Sequence, residues 1–176
     1  MRRLKSIYTP LTEAVAKSLT LGDSIKISGY IYAGRDSVLP KIVSLAKEDQ
    51  LSQKDIFLQG AVIFHSAVSP AGVGPTSSNK ADIESSMPEL AKAGVKVHLG
   101  KGALKKETID VLGYYNSVYA VTPPVTALLL SRIKRQRVVA FPEEGMEAFH
   151  LLQVEEFPAI VAAAHGETFY RLEKIR

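Results

Sequence analysis

Hydrophobic positions along the chain change their period several times, and each change marks an element. Leu11, Val15 and Leu19 recur at i, i+4 and i+8, which predicts a short helix over residues 11–19, capped by Thr12 and ended by Gly22-Asp23. From Ser24 to Ala33 the apolar and aromatic positions Ile25, Ile27, Tyr30 and Tyr32 follow strand spacing with a shift at Gly29, so a bulged strand is expected. Leu39, Ile42, Val43 and Leu45 return to helical spacing within residues 37–47, with Pro40 in the first turn. Ala61 to Phe64 is a short apolar run of the buried-strand type, and it leads into a segment rich in Ser, Pro and Gly from His65 to Asp82.

In the second half, Ser86 and Glu89 frame a capping box before a helix to Ala93, Gly94 stops it, and a strand over residues 95–99 follows. A helix over 104–112 stopped by Gly113, a strand over 117–121, a helix from Pro123-Pro124 through Ser131 and a strand over 137–141 continue the alternation. Repeated strand–helix units imply parallel pairing. The tail changes character: residues 149–154, 159–163 and 168–172 read as strands separated by Pro158 and Gly166, so mixed β structure should accompany the parallel sheet. The expectation is one α/β domain over residues 1–176, mostly parallel, with no internal repeat.

With 176 residues, 46% of them hydrophobic, the chain can bury roughly 70% of the surface it exposes when unfolded, and it needs no staple. It has no cysteine, which excludes disulfides, thiol nucleophiles, Cys-ligated zinc and any iron–sulfur cluster held by this chain alone. No apolar run approaches the ~18 residues of a membrane span and the basic N-terminus lacks the apolar stretch of a signal peptide, so a cytoplasmic location is expected. A net charge of +4 suits an anionic small molecule but is too small to argue for nucleic acid. The densest basic run, Arg132 to Arg137, falls between a predicted helix and a predicted strand, where a helix C-terminus favours cations.

Three loops with the composition of an anion site each follow a predicted strand: Gly34-Arg35-Asp36, the run from Ala71 to Ser78 that contains Gly74, Thr76 and Ser77, and Gly100-Lys101-Gly102. Loops at the carboxyl ends of parallel strands converge on one crevice. Arg35, Lys101 and Lys80 would supply positive charge there, and glycines would let backbone N–H groups approach a carboxylate or phosphate. No P-loop or Gly-x-Gly-x-x-Gly fingerprint is present, so nucleotide binding is not supported. His65, His98, His150 and His165 lack the i, i+4 spacing of a helical metal site, and His98 reads as a hydrogen-bonded structural residue. Glu143, Glu144 and Glu147 read as solvated loop carboxylates.

Taken in order, Tyr8-Thr9-Pro10-Leu11-Thr12, Gly22-Asp23, Ser28-Gly29-Tyr30-Ile31, Arg35-Asp36, Gly74-Pro75-Thr76-Ser77-Ser78, Gly100-Lys101-Gly102, Gly145-Met146-Glu147-Ala148 and Val154-Glu155-Glu156-Phe157-Pro158-Ala159 resemble the beta subunit of class I fumarate hydratases and the related tartrate dehydratases, over nearly the whole chain. The resemblance implies a swivelling β/β/α-type fold and a hydro-lyase active only with an alpha subunit, whose own cysteines hold a 4Fe-4S cluster. The implied assembly is a hetero-oligomer, with a homodimer as a further option, acting on a dicarboxylate such as fumarate/malate or tartrate.

By position, Arg35, Lys80 and Lys101 match the family's carboxylate-binding cations, Gly74 opens the substrate-binding loop, and Thr76, with Ser77 beside it, matches the proton-abstracting threonine. The sequence departs from the family pattern at Lys80, where arginine is usual, at Leu39, where histidine is usual, and at Pro123-Pro124, where a glycine pair is usual. A lysine offers a point charge where arginine offers a two-pronged grip. Fumarate, tartrate or another hydroxy-diacid, and a catalytically silent anion-binding scaffold, stay open at this level.

Overall fold

The chain is described by a computed structural model covering residues 3–69, 72–73 and 84–170. Strand β1 (Leu4–Tyr8) is followed by helix α1 (Glu13–Ser18), whose Thr12 cap accepts the Val15 amide at 3.2 Å. The helix turns a different face inward from the one the spacing predicts. Ala16 is buried between the buried Leu11 and Leu19, and Val15 is 36% exposed. Strand β2 (Ser24–Ala33) then leads to α2 (Leu39–Lys47), with Pro40 in its first turn as expected, and β3 (Val62–Phe64) leads to a small hairpin of β4 (Val68–Ser69) and β5 (Gly72–Val73).

Helix α3 (Met87–Lys92) starts without the expected capping box: Ser86 is itself helical in backbone and makes no side-chain cap bond. Strand β6 (Val97–Gly100), helix α4 (Lys106–Tyr114), strand β7 (Val118–Val121) and helix α5 (Thr126–Ser131) continue the alternation, with α5 beginning beyond Pro123-Pro124. Gly113 does not stop α4. It lies inside the helix, where an added Cβ would come within 2.7 Å of the Gly166 amide nitrogen, so its smallness serves a backbone contact. The chain leaves the helix three residues later, at Asn116, in a left-handed conformation.

The basic run begins at the C-terminus of α5, where Arg132 is the cap residue, but most of it belongs to the next strand. From Ile133 onward it forms the first part of β8 (Ile133–Ala140), whose Lys134, Arg135 and Arg137 are exposed and which, among the described residues, pairs only with β9. The tail contains one strand where two were expected, β9 (Phe149–Ala164), followed by the short β10 (Glu167–Thr168); the rest of the expected 168–172 strand lies partly outside the described residues. Pro158 is tolerated inside β9 because it faces Lys26 of β2 on one side and falls, on the other, between the β8 pairing that ends at Val154 and the β7 pairing that begins at Ile160. A missing N–H costs no ladder bond where there is no neighbour.

Pairing is parallel for β1–β2, β2–β3, β3–β6 and β6–β7, and antiparallel for β2–β9, β7–β9, β8–β9 and β9–β10. The sheet is therefore mixed in equal measure rather than mostly parallel, because the long β9 pairs with both β2 and β7. Those two contacts close β2, β3, β6, β7 and β9 into a five-stranded barrel. Inward-facing Ile25, Ile27, Ile31, Val62, Phe64, Val97, Leu99, Val118, Leu152, Phe157 and Val161 fill it, with Phe64 and Phe157 edge to face at 5.4 Å. Outside the wall, α2 and α3 cover a second apolar cluster around Ile42, Ile63, Leu90 and Phe149, and α3 with α4 covers a third around Met87, Ile109, Leu112 and Tyr119.

The β2–β9 register slips at one place. Ile27 faces Phe157 and Gly29 faces Val154, so Ser28 is opposed by Glu155 and Glu156, with Glu156 in the left-handed region and its amide donating to Ser28 Oγ at 3.0 Å. Gly29 has φ 114 and its missing Cβ would meet Thr9 Oγ1 at 2.4 Å. Gly29→Ala should therefore lower unfolding free energy by about 2 kcal/mol or more, against about 0.5 kcal/mol or less for Val15→Ala, as measured by urea denaturation.

Candidate functional site

The two ends of the barrel differ in how their charges are used. At the end where the parallel strands begin, the buried Lys96 ammonium reaches Glu13 at 2.8 Å and the Tyr115 carbonyl at 2.7 Å, and Asn116 also donates to Glu13. Asp23 there takes Lys5 at 3.0 Å and the Thr20 amide at 2.9 Å. These groups satisfy one another.

At the other end, Ala33, Phe64, Leu99 and Ala120 lie level across β2, β3, β6 and β7. The bonds Gly34 N–Phe64 O, His65 N–Leu99 O and Thr122 N–Gly100 O carry the register past the strand ends. Arg35 and Lys101 each follow this level by two residues. With β3 between them, their backbones leave the same edge about 10 Å apart. The structure thus brings together these two sequence-selected cations. Gly74, Thr76, Ser77 and Lys80 lie outside the described residues, whereas the β4–β5 hairpin and Glu84 on either side of that segment are described. A recess of about 280 Å³ lined by Tyr30, Tyr32, Phe57 and Leu151 is on the barrel's side, away from this edge.

The Gly100-Lys101-Gly102 turn is shaped by Tyr119. An added Cβ at Gly100 would meet the Tyr119 ring at 3.2 Å, Gly102 has φ 77, and the Tyr119 hydroxyl donates to the Gly102 carbonyl at 3.0 Å. Both glycines therefore answer to local structure before any ligand. The Tyr119 side chain is buried, which pushes its hydroxyl pKa up and keeps it a donor. Just after the turn, the Glu84 carboxylate accepts the Lys105 amide at 2.6 Å, placing an acid at the start of α4. Lys101 itself is exposed at the tip.

Arg35 is held on a second scaffold. Its Nη2 donates to Glu147 Oε1, the Ser37 hydroxyl donates to Glu147 Oε2, and Asp36 lies 3.7 Å from Arg35 Nε. The Ser37 hydrogen bond, with Arg35 beside it, holds the Glu147 carboxyl below its ordinary range despite partial burial. Glu144 pairs with Lys41 of α2 at 2.7 Å. Glu144 and Glu147 are thus engaged rather than merely solvated, which corrects their reading as loop carboxylates, and Ser37 and Tyr119 are site residues that the pattern reading missed. The sequence signals for Glu147 were its carboxylate cluster with Glu143 and Glu144 and the Gly145-Met146-Glu147-Ala148 motif.

The histidines are structural. His65, immediately after β3, and His98, within β6, are buried with Nε2 and Nδ1 3.0 Å apart, and the outer nitrogens, His65 Nδ1 and His98 Nε2, have no hydrogen-bond partner among the described residues. His150 binds the Ala148 carbonyl at 2.8 Å and His165 the Leu19 carbonyl at 2.9 Å. Among the described residues no group of three or more His, Cys, Asp or Glu could hold a metal ion, and no helix is long and apolar enough to cross a membrane.

Burial lowers the His65 pKa to about 3 and holds His98 well below its ordinary value, with the neighbouring His65 adding to the effect. Below pH ~6.5 the unfolded chain binds protons that the folded pair refuses, so stability is full above that pH and falls as pH drops toward about 3. Denaturant unfolding between pH 6 and pH 5 should show a loss of about 1.4 kcal/mol per pH unit for each histidine. His98→Phe should roughly halve that slope.

Compared with known proteins, residues 3–172 match the family model described as Fumarase C-terminus. A Methanocaldococcus jannaschii protein named for the beta subunit of L(+)-tartrate dehydratase is 33% identical over 93% of this chain and 89% of its own length. The anaerobic class I fumarate hydratase of Escherichia coli is 27% identical over 92% of this chain, and fumarate hydratase 2 of Leishmania major is 26% identical over 85%. The chain spans only 31% and 28% of those two enzymes, so it corresponds to a part of each. A mixed α/β barrel with Arg35 and Lys101 on one edge, matched by that family model along almost its full length, identifies this chain as a member of the Fumarase C-terminus family.

Proposed function

We propose that this chain is the beta subunit of a two-chain class I hydro-lyase that interconverts L-malate and fumarate, with substrate bound at the edge carrying Arg35 and Lys101. The observation that carries the reading is the emergence of these two cations at one edge, from parallel strands β2 and β6 on either side of β3, in a Fumarase C-terminus domain. A dicarboxylate needs two positive holds, and two separately anchored cations suit it. Lys80 is assigned as a third hold, and Gly74 as part of the loop around the substrate. Thr76, with Ser77 beside it, takes the proton from the carbon next to the departing hydroxyl. A threonine hydroxyl is a weak base, so the surrounding cations must favour its ionised form.

A 4Fe-4S cluster does not fit this chain: it has no cysteine, and the described residues offer no metal-binding group. We therefore assign the cluster to a cysteine-bearing alpha subunit, and the steps given to this chain are binding, orientation and proton removal. The E. coli fumarate hydratase is more than three times the length matched here, so most of that protein lies outside the part this chain resembles. A tartrate dehydratase beta subunit is the second reading. It is favoured by the M. jannaschii relative, which the chain covers almost end to end.

The test is anaerobic co-expression with a cysteine-bearing partner, cluster reconstitution, and assay against malate, fumarate, tartrate and mesaconate. Fumarate hydration by the pair and none by the isolated chain is the expected result; preference for tartrate would select the second reading. In the active pair, Lys101→Ala should raise KM about tenfold, while Thr76→Ala should lower kcat by on the order of 10²-fold or more with KM little changed. Near-normal turnover by Thr76→Ala would remove it as the base.

A further inference from the structure

Glu147 reaches Arg35 from a strap that is itself anchored. The 3-10 segment Pro142–Glu147 follows β8, and its Glu144 is ion-paired to Lys41 of α2, whose ammonium also lies 5.0 Å from the Phe141 ring centroid. Gly145, with φ 60 and ψ −123, breaks the segment's helical course just before Glu147. Both Glu147 oxygens are then used on the loop after β2, one by Arg35 and the other by Ser37. A side chain fixed at both oxygens, on a strap fixed at Glu144, is a rigid support for a guanidinium. Glu147 holds the Nη2 end of a five-donor fork and so sets the direction in which the planar group is presented.

We infer that Glu147 is a positioning residue for substrate binding: it orders the Arg35 guanidinium before the substrate arrives. The inference rests on the dicarboxylate reading above. An arginine on a loop would otherwise give up its rotamer freedom on binding, whereas here the fold has already removed it. The negative charge of Glu147 works against an incoming anion. Lys101, exposed and without an ion pair among the described residues, keeps the edge attractive despite that charge. Ordering and repulsion predict opposite signs when Glu147 is neutralised, which makes the role measurable.

The experiment uses the full chain, isotopically labelled, with malonate as the dicarboxylate probe. In the wild-type protein the Arg35 Nε–H resonance should be sharp, and malonate should shift it. Glu147→Gln should broaden or move that resonance and weaken malonate binding about tenfold. Ser37→Ala, which removes only the support of Glu147, should weaken binding about threefold and covers the case in which Glu147→Gln does not fold. In the assembled enzyme, Glu147→Gln should raise KM by a similar factor with kcat within about threefold. Malonate binding equal to or tighter than wild type in the folded variants would overturn the positioning role and leave the dicarboxylate reading intact. Failure of the wild-type chain to bind malonate would count against the dicarboxylate reading. The Glu147 inference would then be judged by the resonance alone, supported if Glu147→Gln disturbs it and overturned if it does not.

Discussion

The antiparallel ladder between β2 and β9 is the constraint on which the rest depends. Nine positions of β2 pair with β9, and without them β2 and β7 would not be joined into a ring. A closed ring of five strands leaves no room for solvent, so its interior must be filled by side chains of matched size; the Ile, Val, Leu and Phe positions that do this come from every strand. Closure also imposes curvature. The bulge of Glu155 and Glu156 over Ser28 supplies it, with Gly29 close against Thr9 and Pro158 in the gap between two other pairings.

That ring decides what the exposed end can present. Four parallel strands deliver their carboxyl ends to one rim, so residues far apart in sequence emerge side by side without any dedicated contact between them. Each cation then has its own support: Tyr119 braces the turn bearing Lys101, and Glu147 with Ser37 braces Arg35. The braces come from a neighbouring strand in one case and from the segment after β8 in the other. Two cations on independent supports keep a spacing set by the barrel wall, which is the geometry a ligand with two separated anionic groups requires.

Local sequence carried much of this. The bounds and bulge of β2, the Thr12 cap and the exit of the Arg35 and Lys101 loops at strand ends depend on near neighbours and on topology, and a reading by period and turn chemistry reaches them. What it missed depended on distant partners. Gly113 looks like a helix stop until Gly166 is seen pressed against it, and Pro158 looks like a strand break until its unpaired flank is known. Ser86 and Glu89 have capping-box spacing, but the chain enters α3 already helical. Glu147 is 112 residues from Arg35, and no periodicity links them; the carboxylate cluster and the family resemblance at Gly145 to Ala148 drew notice to it, but neither named its partner. Of the site residues taken from that resemblance, Arg35 and Lys101 have a described setting, while Gly74, Thr76, Ser77 and Lys80 rest on the sequence alone.

The outermost strand, β8, has a bearing on how the molecule behaves in a crowded solution. Closure removes the free edges of the five ring strands but not that of β8, which among the described residues has β9 on one side only. A strand edge is a template for another strand, and a second copy of β8 would be the most abundant candidate. Lys134, Arg135 and Arg137 put like charge on both sides of such a pairing, so edge-to-edge growth is opposed by electrostatic repulsion while the backbone stays solvated. The repulsion weakens as salt screens it, so colloidal stability of this protein should depend on ionic strength through one short basic strand more than through its modest net charge.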